Sequence, residues 1–470
     1  MLNKILSVFF FIAILTYSVV LKPLQGSSSA QDWPDPALLL SEYVQIPSVS
    51  GEEKEAGEFF AQFCRDHGLH VHVFTEEQDS YNFAASLYPL EMQKPNIVMQ
   101  NHVDVVPAGD PEGWTYPPFS GTIADGMVWG RGAIDNKAMG VMHVLALLRF
   151  LEHAAGEDLP YNVTMLVVSG EETGGDTGAR IIAEEFLDLL NPVAVYGEGG
   201  AGLMGLLGSQ PDKPVFGIGV AQKRILWLEI ESSVTESGHG SVPRNQYSTM
   251  EVVKATNALL RAQPKITISP IVKESLQMVS EHERGIRRRV LRNIDFYAPL
   301  FGRFVRRDPL ISSMLTNTMA LTSLTSTEGA YNMVPNHARA VFDCRLLPET
   351  DEEEFLGHVR RIVAPYDVQV NVLRSGPFTP TSEQGEFYKA MEEAIGYVFE
   401  DALSVPFMFV AVNDNRFFRR KGIPAYGILP AIMEEELMES IHYFDERFPI
   451  ERLHQGIEVY VRLIDNLLGK

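Results

Sequence analysis

The stretch IVMQNHVD, residues 97–104, shows the pattern on which the predicted fold rests, an apolar strand that ends just before a histidine. A nearly unbroken apolar and β-branched run at residues 163–168 is followed by Glu171 and Glu172, and a third strand at residues 192–196 is followed by Glu198. Strands without polar alternation, separated by helices, indicate a mostly parallel sheet that is covered on both faces. We therefore predict an α/β fold with polar side chains collected where the strands end.

A different pattern occupies residues 222–375. Strands are predicted at 225–230, 321–325, 338–345 and 368–373, and helices at 249–261 and 352–364. That βαββαβ order is typical of a small α+β domain, here inserted into the first. Between its halves a basic patch at residues 284–292 leads into the apolar-rich segment 294–314. We interpret this region as a solvated helix followed by an irregular connection, or as a cap that faces substrate or membrane.

The overall charge argues against polyanionic partners. The chain of 470 residues has 61 acidic and 39 basic residues and a formal net charge of −22. Such a surface repels phosphates, which argues against binding to nucleic acid or to an anionic membrane. Two distant cysteines, Cys64 and Cys344, make no disulfide framework, and we expect both to be buried as small apolar side chains.

The N-terminus indicates export. An apolar run at residues 5–21 follows Lys4 and precedes a small-residue linker at residues 26–30. A run of about 17 residues is at the lower limit for a membrane span and slightly long for the core of a signal peptide. We predict that residues 1–30 form a cleaved signal or a retained anchor, so that the protein is membrane-anchored or else secreted or periplasmic.

Candidate metal ligands stand at the strand ends. His102 has Asp104 two residues further on, which could accept its second ring N–H, and Asp135 lies at a strand-to-helix junction. Each has an ordinary alternative, since Asp135 could cap a helix and the Glu171-Glu172 pair could be a solvated loop. Carboxylates and imidazole at successive strand ends, without cysteine, suit zinc, cobalt or manganese.

Longer motifs carry a family resemblance. The run NHVDVVPA at residues 101–108 continues through GWTYPPFSG at 113–121 to GRGAIDNK at 130–137. It resembles the aminoacylase/carboxypeptidase zinc family (metallopeptidase family 20), nearest to the branch with carboxypeptidase S and N-fatty-acyl amino acid synthase/hydrolase. The resemblance implies a zinc-peptidase catalytic domain at residues 31–221 and 376–470, and a lid or dimerisation domain at 222–375.

The resemblance also implies a set of roles. Two Zn²⁺ ions per chain, which Co²⁺ or Mn²⁺ could replace, would be bridged by Asp135, across a cis peptide bond from Asn136. One ion would add His102 and Glu198, and the other Glu172 and His442. Asp104 would support His102, and Glu171 would act as the general base. In the lid, His239 would stabilise the oxyanion, while Asn332 and Arg345 would bind substrate, with Arg345 gripping a carboxylate.

Three positions depart from the family pattern. Tyr443 stands where glycine is usual, Gly197 where aspartate is common, and Phe417 where histidine is common. None is a predicted ligand, but all three are expected to reshape the substrate pocket.

The leading hypothesis is hydrolysis of the amide bond of an N-acyl amino acid or a short peptide that has a free carboxylate. The lid must then close around a hinge near Gln222 and Ser375, and it could also form a homodimer. The alternative is a catalytically silent, metal-stabilised receptor for the same small molecules. The presence of both Glu171 and His239 argues against that alternative.

Overall fold

The computed structural model describes residues 33–234, 238–302 and 309–469, so the apolar run at residues 5–21 and its linker lie outside the described residues. In chain order the strands are β1 (His70–Glu77), β2 (Ser80–Ser86), β3 (Asn96–His102), β4 (Thr122–Ala124), β5 (Met127–Trp129), β6 (Asn162–Val168), β7 (Pro192–Gly197), β8 (Gly202–Leu203), β9 (Val215–Gln222), β10 (Arg224–Ser233), β11 (Gly238–His239), β12 (Thr318–Ser326), β13 (Met333–Val334), β14 (His337–Leu346), β15 (Gln369–Ser375), β16 (Leu403–Phe409), β17 (Ala425–Gly427) and β18 (Arg447–Pro449).

The helices are α1 (Pro36–Val44), α2 (Lys54–Asp66), α3 (Ala138–Leu148), α4 (Leu151–Gly156), α5 (Ala179–Glu185), α6 (Leu187–Leu190), α7 (Ser248–Arg261), α8 (Pro270–Glu281), α9 (Gly285–Arg292), α10 (Ile294–Tyr297), α11 (Pro309–Leu315), α12 (Glu352–Val363), α13 (Glu386–Val398), α14 (Asn415–Arg420), α15 (Glu435–Ser440) and α16 (Ile450–Leu468).

The larger sheet has the strand order β1-β2-β6-β3-β7-β17-β9-β16, with β8 paired to β9. Its centre, β6-β3-β7-β17, is parallel, as is the β9–β16 pair, whereas β1, β2 and β8 pair antiparallel. Every residue of β6 is buried, because Val163, Met165 and Val167 face one apolar cluster and Leu166 and Val168 face another. The predicted α/β class with a mainly parallel sheet is confirmed.

The smaller sheet is antiparallel, in the order β12-β14-β10-β15. Alternate residues of β10 and β14, among them Leu228 and Phe342, are buried in one cluster with apolar residues of α7 and α12. The predicted βαββαβ order is confirmed. Only Lys223 separates β9 of the larger sheet from β10 of the smaller one. The predicted domain limits at 221/222 and 375/376 stay a prediction.

The segment between the two halves of the smaller sheet is not the irregular connection we expected. Helices α8 to α11 occupy most of its described residues. Val272 and Leu276 of α8 share an apolar cluster with Val405 and Met408 of β16, and the Ser275 hydroxyl donates to the carbonyl of Pro406. The helices therefore cover the edge of the larger sheet, because their apolar faces need a partner surface. A role of this region as a substrate- or membrane-facing cap stays a prediction.

One stretch of the described residues, Ala133–Gly156, has the length and hydropathy of a membrane span. Its most apolar window is 67% buried within the protein, and α3 is buried along its whole length. The stretch is therefore part of the protein core. The two cysteines, Cys64 and Cys344, are free and buried, as expected.

Candidate metal centre

Three adjacent strands bring the first ligands together. His102 is the last residue of β3, the turn with Glu171 and Glu172 follows β6, and Glu198 follows β7. Because β3 lies between β6 and β7 in a parallel arrangement, their carboxyl ends meet at one edge of the sheet. Sequence order alone already placed these side chains after strands, and the sheet order makes them neighbours.

Two further side chains arrive from distant turns. Asp135 lies in the turn before α3, and its peptide bond to Asn136 is cis, as the resemblance implied. His442 lies between α15 and β18 with a backbone φ of 61°. The 3₁₀ turn that carries Glu171 and Glu172 begins after Gly170, whose φ is 67°.

Asp135 faces two histidines, one with each carboxylate oxygen. Its Oδ1 is 3.0 Å from Nε2 of His102, which is also 3.4 Å from Oε2 of Glu198. Its Oδ2 is 3.2 Å from Nε2 of His442, which is 3.1 Å from Oε2 of Glu172. Each group, His102-Asp135-Glu198 and Asp135-Glu172-His442, has its ligand atoms within 4.8 Å of one another. The five residues thus form two candidate cation sites that share Asp135.

Asp104 holds this cluster in a way that the sequence did not show. Nδ1 of His102 lies 2.9 Å from the backbone carbonyl oxygen of Asp104 and 3.5 Å from its carboxylate. That carboxylate instead accepts the backbone N–H groups of Glu171 and Glu172, at 3.0 and 3.1 Å, and the hydroxyl of Ser50 at 2.8 Å. The carbonyl therefore orients the imidazole, which leaves Nε2 for a cation, while the side chain fixes the turn that carries both glutamates.

Glu446 performs a similar task at Asp135, and we did not predict it. Its buried carboxylate accepts from Arg131 at 2.6 Å and from the backbone N–H groups of Ile134 and Asp135 at 2.9 and 3.1 Å. Only its place four residues after His442 linked it to the site in sequence. These contacts fix the backbone that presents the shared carboxylate.

Amide side chains support Glu198, also without a prediction. Asn136 donates to its carboxylate at 3.0 Å, while Asn413 and Asn415 donate to its backbone carbonyl at 2.7 and 2.8 Å. Asn413 and Asn415 flank the buried Asp414 at the junction between β16 and α14. A polar Asn-Asp-Asn run after the apolar-rich stretch 405–412 was the signal that could have found them.

The cluster is crowded with acids, which changes their proton affinities. Burial and the charges of Glu198 and Asp414 raise the pKa of Glu171 well above its usual value. Burial raises the pKa of Glu172 to about 7, and burial also raises that of Asp414 to about 7. Excess negative charge among buried carboxylates is relieved by bound protons or by cations.

The pKa values of the two histidines are also raised, which favours their charged form. Hydrogen bonds to Asp135 and Glu172 raise the pKa of His442 to about 10. Burial lowers the pKa of His102, but the nearby carboxylates of Asp104, Asp135 and Glu198 raise it well above its usual value. Burial raises the pKa of Asp135, yet the two histidines hold it below its usual value. The geometry, the imidazole and carboxylate donors and the surplus of acids all fit two divalent cations.

The predicted lid residues form separate contacts. His239 and Asn332 meet at 3.2 Å, where β11 pairs with β13. Arg345 is held within its own strand by Asp343, with three contacts of 2.9 to 3.2 Å. Within residues 33–234, 238–302 and 309–469, no hydrogen bond or ion pair joins these residues to the five candidate ligands. The structure brings the cluster together but leaves the lid residues outside it.

The three departures from the family pattern have distinct surroundings. A Cβ atom at Gly197 would lie 2.6 Å from Oδ1 of Asn415, so the space of a side chain is filled by that amide. Tyr443, beside His442, is 64% exposed and packs on Phe444. Phe417 is buried in an apolar cluster, with the guanidinium of Arg416 4.4 Å from its ring centre. Phe417 is therefore a core residue of α14 in the described fold.

Comparison with known proteins finds matches to one metallopeptidase family and to individual relatives. The model of peptidase family M20/M25/M40 matches residues 98–466. The N-fatty-acyl-amino acid synthase/hydrolase PM20D1 of Mus musculus is 26% identical over 440 residues, which cover 90% of this chain and 86% of that protein. A probable carboxypeptidase S-like 2 of Dictyostelium discoideum is 24% identical, with 88% and 82% covered.

Among solved structures, the M20 family metallo-carboxypeptidase Sso-CP2 from Sulfolobus solfataricus superposes with a TM-score of 0.69. The match covers 93% of this chain and all of that one, at 18% identity. At this identity the superposition supports the fold.

Proposed function

Because the chain belongs to peptidase family M20/M25/M40 and is a metallohydrolase of that family, we propose that it uses two zinc ions to hydrolyse the amide bond of N-acyl amino acids or short peptides that have a free C-terminal carboxylate. The observation that carries the proposal is the carboxylate of Asp135, whose two oxygens face the histidines of two separate ligand groups. Two divalent cations held by His102, Asp135, Glu172, Glu198 and His442 would lower the pKa of a water and polarise a carbonyl oxygen.

Glu171 is the proposed general base. It is in the same turn as Glu172, its backbone N–H is fixed by Asp104, and it belongs to neither ligand group. Its carboxylate is therefore free to take a proton from the attacking water and pass it to the leaving amine. The raised pKa of Glu171 makes the carboxylate a stronger base, in the direction that this task needs.

The lid residues supply the rest of the proposed site. His239 would donate to the oxyanion, and Asn332 at 3.2 Å would orient its ring. Arg345 would bind the substrate carboxylate in competition with Asp343. Delivery of these groups to the metal centre requires closure of the lid or a second copy of the chain that contributes its lid residues.

The acyl group is the least determined part of the substrate. PM20D1 is named for N-fatty-acyl-amino acids and the Dictyostelium protein for carboxypeptidase action, so both acyl amino acids and peptides are proposed for this chain. We also propose export, on the basis of the apolar run at residues 5–21. Fractionation of cells that express the full chain tests this: recovery in the cytosol with residues 1–30 intact would contradict it.

A two-part experiment tests the catalytic proposal. Metal analysis of the purified chain should find about two zinc ions per chain, and mass spectrometry should detect hydrolysis of one or more of N-acetyl amino acids, N-palmitoyl amino acids and dipeptides. The Glu171→Gln variant should keep its metal and lose turnover by about 10²- to 10⁴-fold. Wild-type turnover in that variant would refute the role of Glu171, and full metal content without any turnover in the parent would favour the silent receptor.

A further inference from the structure

A cavity of about 340 Å³ lies where the two sheets meet. Its walls come from the loop after Glu172, from α5 and α14, and from the two crossings between the sheets, at residues 222–225 and 374–377. None of the five candidate metal ligands lines it. We call this space the hinge cavity.

The lining of the hinge cavity is strongly cationic. It contains seven arginines and lysines but two acids, Asp176 and Glu184, a formal excess of five positive charges. Burial lowers the pKa of one of the seven, Lys223, to about 7, so the other six carry most of the charge. The whole chain, in contrast, has a formal net charge of −22. A concave surface of one sign focuses the field within it and attracts ions of the opposite sign.

The two acids are already engaged. Arg180 pairs with Asp176 at 3.0 Å and with Glu184 at 3.2 Å. Arg374 reaches the second oxygen of Asp176 at 3.6 Å, across the gap between the sheets. Little acidic charge is left for the cations of the opposite wall.

That wall belongs to α14 and the residue after it. Arg416 and Arg420 donate to the carbonyls of Gly174 and Pro377, at 2.6 and 3.0 Å. In the described part of the chain, Arg416, Arg420 and the exposed Lys421 have no carboxylate oxygen within 4.0 Å. Burial and the charge of Arg416 lower the pKa of Arg420 to about 10, a sign that these cations crowd one another.

Arg224 contributes positive charge on the other side. Its side chain is 11% exposed, its Nη1 lies 3.5 Å from Glu352, and its Nη2 donates to the carbonyl of Thr350 at 2.7 Å. Its Nε–H is buried and has no hydrogen-bond partner among the described residues, so Arg224 acts on an anion in the cavity mainly through its charge.

We propose that the hinge cavity binds a tetrahedral dianion, either inorganic phosphate or the phosphate group of a phosphomonoester, at a site separate from the metal centre. Planar guanidinium groups suit phosphate oxygens, and a dianion neutralises more of the five-charge excess than a single carboxylate does. The anion would contact Arg416, Arg420 and Lys421 on one wall and Arg224 and Arg374 on the other.

Such an anion would restrain the position of the smaller sheet relative to the larger one. It bridges cations of the larger sheet's helix α14 to cations at the ends of β10 and β15. Arg416 also holds the carbonyl of Gly174, whose N–H bonds the carbonyl of Glu171. The site is therefore an effector site that restrains the crossings at residues 222–225 and 374–377. Anion binding at this site does not require the proposed substrate.

The test is calorimetric titration of the metal-loaded full chain with inorganic phosphate and, separately, with glycerol phosphate. The variants are Arg420→Gln and Lys421→Gln, and Lys265→Gln is the control, because Lys265 is also exposed but does not line the cavity. Both cavity variants should weaken phosphate binding by about 10-fold or more, the loss expected for one charge-assisted hydrogen bond. Lys265→Gln should bind as the parent does.

Two further readouts separate the hinge cavity from the metal centre. Phosphate should slow hydrogen exchange at residues 222–225 and 374–377 in the parent but not in Lys421→Gln. Because the side chain of Lys421 is exposed, its replacement does not unfold the protein. Binding of glycerol phosphate as well as phosphate assigns the site to the phosphate group, and binding of phosphate alone assigns it to the free ion. Affinity unchanged in both cavity variants, or phosphate binding that disappears with the metal, would overturn the proposal.

Discussion

Asp104→Asn is the change that tests most directly how the metal centre is held. The carboxylate of Asp104 is fully buried and accepts from the backbone N–H groups of Glu171 and Glu172 and from the hydroxyl of Ser50. The amide of asparagine has the same shape, but one oxygen becomes an NH₂ group, which cannot accept. At least one of the three donors must lose its partner.

The expected magnitude follows from those contacts. A hydrogen bond to a charged group contributes about 1.5–3 kcal/mol, and an unpaired buried donor adds a penalty of about 1–3 kcal/mol. We expect a loss of about 2–5 kcal/mol in the free energy of unfolding of the metal-free protein. Because the turn with Glu172 loses its support, metal affinity should fall by roughly 10- to 100-fold.

The assay is chemical unfolding of the metal-free chain, together with competition for zinc against a chromophoric chelator. Asp351→Asn is the matched control, because Asp351 also accepts a backbone N–H, from Glu354 at 2.8 Å, but at an exposed helix N-terminus where asparagine caps equally well. If Asp104→Asn binds zinc and unfolds as Asp351→Asn does, the carboxylate of Asp104 does not hold the site.

Three other predictions follow from the same structure. Metal affinity should increase as the pH rises from 6 to 9, because cations must displace protons from Glu172, with a pKa of about 7, and from His442, with a pKa of about 10. Calorimetry should detect the released protons. An affinity that does not depend on pH would contradict this prediction. For substrates with a free carboxylate, Asp343→Asn should lower KM and Arg345→Ala should raise it in steady-state kinetics. The reason is that Asp343 forms an ion pair with the guanidinium of Arg345, which we propose binds the substrate carboxylate. Equal KM values in both variants would show that Arg345 does not bind the substrate. Gly197→Ala should destabilise the fold by about 1–3 kcal/mol in thermal unfolding, because its Cβ would meet Asn415 at 2.6 Å. The control Gly396→Ala, in the last turn of α13 with no atom near its Cβ, should stabilise the fold by up to about 1 kcal/mol. A neutral Gly197→Ala would show that Asn415 can move at no cost.

The sequence alone determined the central strands of the larger sheet and the residues placed at their ends. Strands β3, β6 and β7 were predictable because both of their faces are apolar, and a continuous apolar run needs no tertiary information to be recognised. His102, Glu172 and Glu198 followed directly, since each stands at or just after the end of such a strand. The pairing of ligands around Asp135 came from the family resemblance.

The tertiary structure decided which groups hold those ligands in place. Asp104 supports the turn of Glu171 through its side chain and His102 through its carbonyl, a division that no spacing in sequence encodes. Glu446 is more than 300 residues from the backbone N–H groups it accepts, with separations of 312 and 311. Helices α8 to α11 packed on β16, where an irregular connection was expected. Contacts between distant segments depend on how strands, helices and turns pack in three dimensions, so local apolar periodicity, which reports only whether a face is buried, cannot reveal them.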